Sequence, residues 1–114
     1  MKVYGIRNCD SCRKARKWLE ANSVEFRFQD IRDAGLDESL LKKWQQQAGW
    51  EKLLNKKSVT WRKIPSFDRN DLDADRARAL ILEYPTVMKR PVLDTGTLLL
   101  VGFDATEYAS IRSK

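Results

Sequence analysis

The beginning of the chain switches between two hydrophobic periods. Residues 2–6 are rich in β-branched and aromatic side chains, which predicts a first strand. Four small or apolar residues then recur at helical spacing: Cys12, Ala15, Trp18 and Leu19. Basic residues lie between them, so this segment predicts an amphipathic helix that ends at about Asn22. The alternation over residues 24–28 predicts a second strand, and the three elements together predict a βαβ unit.

The middle of the chain, about 33–88, has helical periodicity throughout. Asp37 is a predicted N-cap for a helix that Gly49 ends, and residues 50–54 predict a short second helix. Asp71 is predicted to cap a further helix that ends near the next proline. This pattern predicts an all-helical insert.

Strand patterns return after Arg90-Pro91. Residues 92–94 and 97–101 flank Thr95-Gly96, a dipeptide typical of a hairpin turn. Residues 104–107 carry a capping-box pattern, which predicts a terminal helix. The complete order is βαβ, helical insert and ββα, which predicts an α/β fold.

The composition is that of a globular chain and excludes several kinds of site. Of 114 residues, 42% are hydrophobic and 33% are charged, and the formal net charge is +6. Histidine is absent from the sequence, which excludes a Cys–His dyad and imidazole metal ligands. No apolar stretch approaches the length of a membrane span, and the start of the chain lacks a signal-peptide core. We therefore expect a cytoplasmic protein without a membrane partner, in a compartment where thiols stay reduced.

Both cysteines lie in one quartet, from Cys9 to Cys12, where the first strand gives way to the helix. A structural zinc site needs four ligands, so no metal is expected. The thiolate is the reactive form of cysteine, and a helix N-terminus stabilises it. We predict that the helix start and Arg13 outweigh Asp10 and lower the pKa of Cys9, the candidate nucleophile. Cys12 is one turn away, within reach of Cys9; its alternative role is that of a buried core residue.

Residues 55–63 are basic and contain no acid. Such a run is typically a solvated face, but its field would also suit a small anionic substrate. Nothing in the sequence matches a nucleic-acid-binding motif, so no nucleic-acid partner is expected.

Four segments occur in an order and spacing that are specific in combination: residues 8–15 (NCDSCRKA), 53–55 (LLN), 89–93 (KRPVL) and 101–103 (VGF). The chain from Lys2 to about Ile111 thereby resembles the ArsC-like family of thioredoxin-fold proteins, most closely its YffB branch. The resemblance implies a thioredoxin-like fold in a single domain, 1–114. Its four-stranded mixed sheet would carry the helical insert, about 33–88, between strands 2 and 3. It also implies a cis Arg90–Pro91 peptide bond against the Cys9 loop.

The resemblance implies three alternative functions. Arsenate reductases of this type grip the oxyanion with three arginines; Arg90 matches one, whereas Asn55 and Gly102 stand where the others would fall. Spx-type regulators carry the same C-x-x-C-R-K-A-R run and bind RNA polymerase, and their cysteine pair is a redox switch. The YffB branch implies a glutathione-dependent thiol reductase, in which Cys9 attacks a disulfide and either Cys12 or glutathione resolves the product.

We predict the third function, with glutathione as co-substrate and a thiol or disulfide as substrate; a protein partner belongs to the alternative. The predicted catalytic residues are Cys9, Cys12 and Arg13. The predicted binding residues are Asn8, Asp10, Ser11, Asn55, Lys56, Arg90, Pro91, Gly102 and Asp104. The segment from Gly102 to Asp104 resembles the turn of glutaredoxins in which an acidic residue takes the γ-glutamyl ammonium. Asp104 would fill that role, act as a helix N-cap, or do both.

Overall fold

Four short strands form one mixed sheet in the computed structural model, which describes residues 1–112, without the side chains of Ala34 and Arg112. The strands are β1 (Lys2–Gly5), β2 (Arg27–Asp30), β3 (Val92–Asp94) and β4 (Leu99–Val101), and their order in the sheet is β2-β1-β3-β4. The strands β1 and β2 are parallel, whereas β1 pairs with β3, and β3 with β4, in antiparallel fashion. The predicted four-stranded mixed sheet is confirmed.

The helices in the described residues are α1 (Asp10–Ala21), α2 (Ile31–Ala34), α3 (Glu38–Ala48), α4 (Trp50–Leu53), α5 (Val59–Lys63), α6 (Ser66–Arg69), α7 (Ala74–Glu83) and α8 (Ala105–Arg112), with a 3-10 turn at Pro85–Val87. The chain divides into two compact units. The first contains residues up to Ala34 and from Arg90 onward, and the second contains Gly35–Lys89. The first unit holds the sheet, and the second contains helices α3 to α7. Among the residues described, no helix combines the length and apolar character needed to cross a membrane.

The core of the first unit joins the sheet to α1 and α8. Its fully buried members are Val3, Ala15, Leu19, Leu93 and Tyr108. The Tyr108 ring meets Trp18 and Phe103 edge-on, at centroid distances of 5.6 and 4.9 Å. Burying each large apolar side chain contributes roughly 1.5–3 kcal/mol, so this cluster fixes α1, and the cysteines at its start, on the sheet.

Two strands begin later than the sequence predicts. The strand predicted at 24–28 starts at Arg27, because the pairing with β1 begins with Arg27 opposite Lys2. Before it, the Val24 N–H donates to the Leu19 carbonyl at 2.9 Å and closes the end of α1. The strand predicted at 97–101 likewise starts later, because the hairpin turn takes up the residues before it. Turn hydrogen bonds thus replace strand pairing at these positions.

In the second unit one predicted cap is confirmed and another is wrong. Asp37 accepts the Ser39 N–H at 3.4 Å at the start of α3. The helix α7 is capped by Asp73, which accepts the Arg76 N–H at 2.8 Å, and not by Asp71. Asp71 has a φ of +53°, whereas an N-cap residue has an extended backbone, as Asp73 does.

Candidate active site

Cys9 lies at the start of α1, as its sequence context predicts. Its N–H donates to the Ile6 carbonyl at 3.2 Å and closes the turn that leaves β1. Cys9 is the N-cap residue, with an extended backbone at φ −101° and ψ 128°, and its carbonyl accepts the Arg13 N–H at 2.9 Å. Its side chain is half-buried, so the sulfur sits at the positive end of the helix and can still be approached.

The surroundings of Cys9 favour the thiolate. Partial burial raises the pKa of the Cys9 thiol, but hydrogen bonds from the Cys12 backbone and thiol lower it, as do the hydrogen bond and charge of Arg90. The resulting pKa lies below the ordinary value for a thiol. The predicted direction is therefore confirmed, and Cys9 has the electrostatic setting of a reactive cysteine.

The cation beside Cys9 differs from the predicted one. Arg13 reaches the carboxylate of Asp10 at 2.6 Å, on the exposed side of α1. The hydrogen bond from Arg13 holds the pKa of Asp10 below its ordinary value. The charge that lowers the pKa of Cys9 belongs to Arg90 instead. Arg13 is the nearer cation in the sequence, but its i, i+3 spacing from Asp10 favours the pairing with that carboxylate.

Cys12 is fully buried one turn into α1. Burial raises the pKa of its thiol to about 11, and the charge of Cys9 adds to this, although a hydrogen bond from the Ile6 N–H opposes it. That N–H lies 3.5 Å from the Cys12 sulfur. A Cβ atom at Gly5 would overlap the same sulfur, so β1 can approach Cys12 only because this residue is glycine. Cys12 therefore packs as a core residue and also donates a hydrogen bond to Cys9.

The segment before β3, Arg90-Pro91, is the second part of the chain that contributes to the site. The Arg90–Pro91 peptide bond is cis, which confirms what the family resemblance implies. Pro91 is buried, and its carbonyl accepts the Gly102 N–H at 2.8 Å. Together with the contact between Arg90 and Cys9, this bond brings Pro91 and Gly102 into the unit that carries the cysteines. Gly102 has a φ of +81°, a conformation that favours glycine.

Asp104 caps α8. Its Oδ1 accepts the N–H groups of Thr106 and Glu107 at 2.8 and 3.3 Å, so the capping alternative is confirmed. Its role toward a ligand ammonium stays a prediction. At the other end of the site, Asn8 is exposed in the turn before Cys9, and Ser11 is half-buried in the first turn of α1.

Asn55 and Lys56 lie in the second unit, between α4 and α5. The Asn55 N–H donates to the Val87 carbonyl at 2.9 Å, and its Oδ1 accepts the Lys57 N–H at 3.1 Å, so Asn55 shapes this loop. The Lys56 ammonium lies 5.8 Å from the centre of the Trp61 ring, a cation–π contact. The binding roles of Asn55 and Lys56 stay predictions.

Asp30 is the residue that the sequence analysis missed. It ends β2, is 2% exposed, and accepts the N–H groups of Arg7 and Arg32 at 3.0 and 2.9 Å. The guanidinium hydrogen bond of Arg32 is the largest cause that holds the pKa of Asp30 far below its ordinary range. In the sequence, Asp30 stands two residues after the predicted strand 24–28 and two residues before Arg32, a pattern that by itself does not indicate a buried carboxylate. In the part of the chain described, no cluster of three or more Cys, Asp or Glu is arranged to hold a metal ion.

Comparison with known proteins identifies the family and agrees with the fold. The model of the ArsC family matches residues 4–111. The chain belongs to the ArsC family. A solved structure described as a YffB protein is 39% identical, covers 96% of each chain and superposes with a TM-score of 0.93. A solution structure of an arsenate reductase (ArsC) related protein from Brucella melitensis is 40% identical, with a TM-score of 0.76, over 99% of this chain and 94% of that one.

The ArsC family also connects this chain to regulators. The global transcriptional regulator Spx of Enterococcus faecalis is 28% identical over 94% of this chain and 82% of its own length. Structures described as a possible arsenate reductase from Streptococcus mutans and as an arsenate reductase from Vibrio cholerae share the fold. The chain therefore has the thiol oxidoreductase-like fold of the ArsC family, and its relatives include Spx regulators.

Proposed function

We propose that this ArsC-family protein is a glutathione-dependent thiol–disulfide oxidoreductase with Cys9 as its nucleophile. The observation that carries the proposal is the setting of Cys9: an accessible sulfur at a helix start, with its pKa lowered by Cys12 and Arg90. A purely structural cysteine does not need a lowered pKa, whereas a nucleophile at neutral pH does.

The first step is an attack by the Cys9 thiolate on the glutathionyl sulfur of a mixed disulfide R–S–S–G. The bond from Cys9 to the glutathionyl sulfur forms while the original disulfide bond breaks. The R–S⁻ group leaves with the electron pair and takes a proton from solvent. The second step is an attack by the thiolate of another glutathione on the same sulfur, which releases oxidised glutathione and restores the Cys9 thiolate.

Glutathione is favoured over Cys12 as the resolving thiol. Burial raises the pKa of the Cys12 thiol, so little of it is thiolate at neutral pH. Burial is the largest cause, and it persists when Cys9 is in a mixed disulfide. Cys12 thus stabilises the Cys9 thiolate through its hydrogen bonds. A second glutathione molecule from solution resolves the mixed disulfide.

We place the proposed glutathione site on the first unit of the chain. Its sulfur would meet Cys9, its cysteinyl backbone would lie along Arg90 and Pro91, and its γ-glutamyl end would reach Gly102 and Asp104. The start of α8 suits the γ-glutamyl carboxylate, because helix N-termini bind anions. The hydrogen bonds that Asp104 accepts within α8 both use Oδ1, so we assign its Oδ2 to the ammonium group.

The test is steady-state reduction of a small glutathione mixed disulfide, coupled to a glutathione reductase. We expect turnover by the wild type, none by Cys9→Ser, and a rate within about three-fold of wild type for Cys12→Ser, since glutathione resolves the intermediate. The Cys12→Ser variant is the matched control, because it removes the other sulfur of the quartet. Loss of turnover in Cys12→Ser as well as in Cys9→Ser would contradict resolution by glutathione alone, and a wild type without turnover would contradict the proposal.

The second candidate is a redox switch that binds a protein partner such as RNA polymerase. It is favoured by the 28% identity to Spx of Enterococcus faecalis over 94% of this chain. The same assay separates the two functions. A switch changes its oxidation state once and changes its affinity for a partner, whereas an enzyme reduces many equivalents of disulfide.

A further inference from the structure

Two side chains form hydrogen bonds with the backbone of Arg7, in the turn that leads to Cys9. Arg7 lies inside the turn closed by the hydrogen bond between Ile6 and Cys9. The Arg7 N–H donates to Oδ2 of Asp30 at 3.0 Å, and the Arg7 carbonyl accepts from Nη2 of Arg16 at 3.2 Å. Both backbone polar groups of Arg7 are therefore fixed by side chains from other elements.

The two side chains that hold Arg7 are themselves fixed. Asp30 lies opposite Gly5 in the sheet, its side chain is 0% exposed, and Arg32 pairs with it through backbone and guanidinium. A buried carboxylate is tolerated when its charge and lone pairs are matched in this way. The Arg16 guanidinium lies 4.6 Å from the centre of the Phe28 ring, a cation–π contact on the same strand as Asp30.

We propose that Asp30 and Arg16 are positioning residues, which clamp the turn at Arg7 and so hold the Cys9 sulfur at the start of α1. The stability of the Cys9 thiolate depends on hydrogen bonds from Cys12 and Arg90. Hydrogen bonds weaken steeply with distance and angle, so a displacement of about 1 Å in the turn is enough to weaken them. This inference deepens the proposed function and rests on it for the role of Cys9 as nucleophile, but its readout, the pH dependence of Cys9 alkylation, does not require turnover.

The variant Asp30→Asn separates positioning from a direct effect of charge by the sign of its effect. Removal of a negative charge near a thiol by itself lowers the pKa of that thiol. Release of the turn instead weakens the contacts that stabilise the Cys9 thiolate, and so raises its pKa. If Asp30 only caps the start of α2 through the Arg32 N–H, the variant is less stable but the pKa of Cys9 does not rise.

The measurement is the rate of Cys9 alkylation by iodoacetamide as a function of pH, with the modified residue identified by mass spectrometry. We expect the midpoint to rise by about 0.5–1 pH unit in Asp30→Asn. Asp33→Asn is the matched control, because the exposed carboxylate of Asp33 pairs with the Arg7 guanidinium. It removes the same charge, and we expect no rise.

Arg16→Met tests the other arm of the clamp. Methionine keeps alkyl packing against Phe28 but cannot donate to the Arg7 carbonyl. Lys17→Met is the control, because it removes the same charge from the exposed neighbouring position on α1. We expect a higher midpoint in Arg16→Met, and a change within about 0.2 pH unit in Lys17→Met.

If Asp30→Asn does not fold, Arg16→Lys decides the question, because it keeps the positive charge but removes the guanidinium that donates to the Arg7 carbonyl: a higher Cys9 midpoint supports the clamp, and an unchanged midpoint overturns it. An unchanged or lowered midpoint in folded Asp30→Asn, or equal shifts in Arg16→Met and Lys17→Met, overturns the proposal. If the wild type shows no turnover with glutathione but the midpoints move as expected, the proposed function fails and the positioning role stands.

Discussion

Replacement of Arg90 by methionine tests which cation stabilises the Cys9 thiolate. Arg90 acts on Cys9 through both a hydrogen bond and its charge. A charge-assisted hydrogen bond contributes roughly 1.5–3 kcal/mol when it is buried. Because Cys9 is only half-buried, solvent screening reduces this to about 1.4 kcal/mol, which corresponds to about one pH unit. We therefore expect the pKa of Cys9 to rise by about one unit in Arg90→Met.

The assay follows thiolate absorbance near the ultraviolet edge during a pH titration. The matched control is Arg13→Met, which removes an equal charge close to Cys9 in sequence. Because Arg13 pairs with Asp10, we expect its removal to shift the titration by less than about 0.3 unit. Burial raises the pKa of Cys12, whereas that of Cys9 is lowered, so the Cys9 transition is the one expected at lower pH.

The opposite ranking of the two variants would refute the reasoning. If Arg13→Met raises the pKa of Cys9 by as much as Arg90→Met or more, the helix-borne cation activates the thiol. An Arg90→Met titration that overlays that of the wild type would remove Arg90 from the thiolate's environment altogether.

Two further predictions concern acid stability and arsenate. The hydrogen bond from Arg32 keeps the pKa of Asp30 far below its unfolded value, so this carboxylate stabilises the fold above about pH 4, and the stabilisation is lost as the pH falls. Urea unfolding should show a flatter dependence on pH below about 4 in Asp30→Asn than in the wild type; parallel curves contradict this. Asn55 and Gly102 stand where the resemblance implies arginines that bind the oxyanion. We therefore expect no arsenate reductase turnover near about 1 per second in the presence of glutathione and glutaredoxin. A wild-type rate in that range would contradict the argument from the missing arginines.

The sequence predicts features that depend on neighbouring residues. Cys9 at a helix start, the Asp37 cap and the hairpin at Thr95-Gly96 were each encoded within a few positions, and each is present. Predictions failed where two local signals competed. Asp71 and Asp73 are both aspartates shortly before α7, so the sequence does not distinguish them as N-caps. The positive φ at Asp71 excludes it.

The sequence could not predict contacts that the sheet creates. The strand β3 runs antiparallel to β1, so the segment before it brings Arg90 to Cys9 from a distant part of the sequence. The same holds for Asp30, which meets Arg7 because β2 lies beside β1. The family resemblance implied the first of these contacts, whereas the second became visible only in the structure.

The central claim, that Cys9 forms a covalent intermediate with glutathione, is tested most directly by mass spectrometry of an acid-quenched reaction. Wild-type protein would be mixed with a glutathione mixed disulfide, with no free glutathione present. The account predicts one glutathionyl group per protein, located on Cys9 after proteolysis, and its loss when glutathione is then added. A Cys9–Cys12 disulfide in place of the adduct would contradict glutathione as the resolving thiol, and unmodified Cys9 would contradict the claim itself.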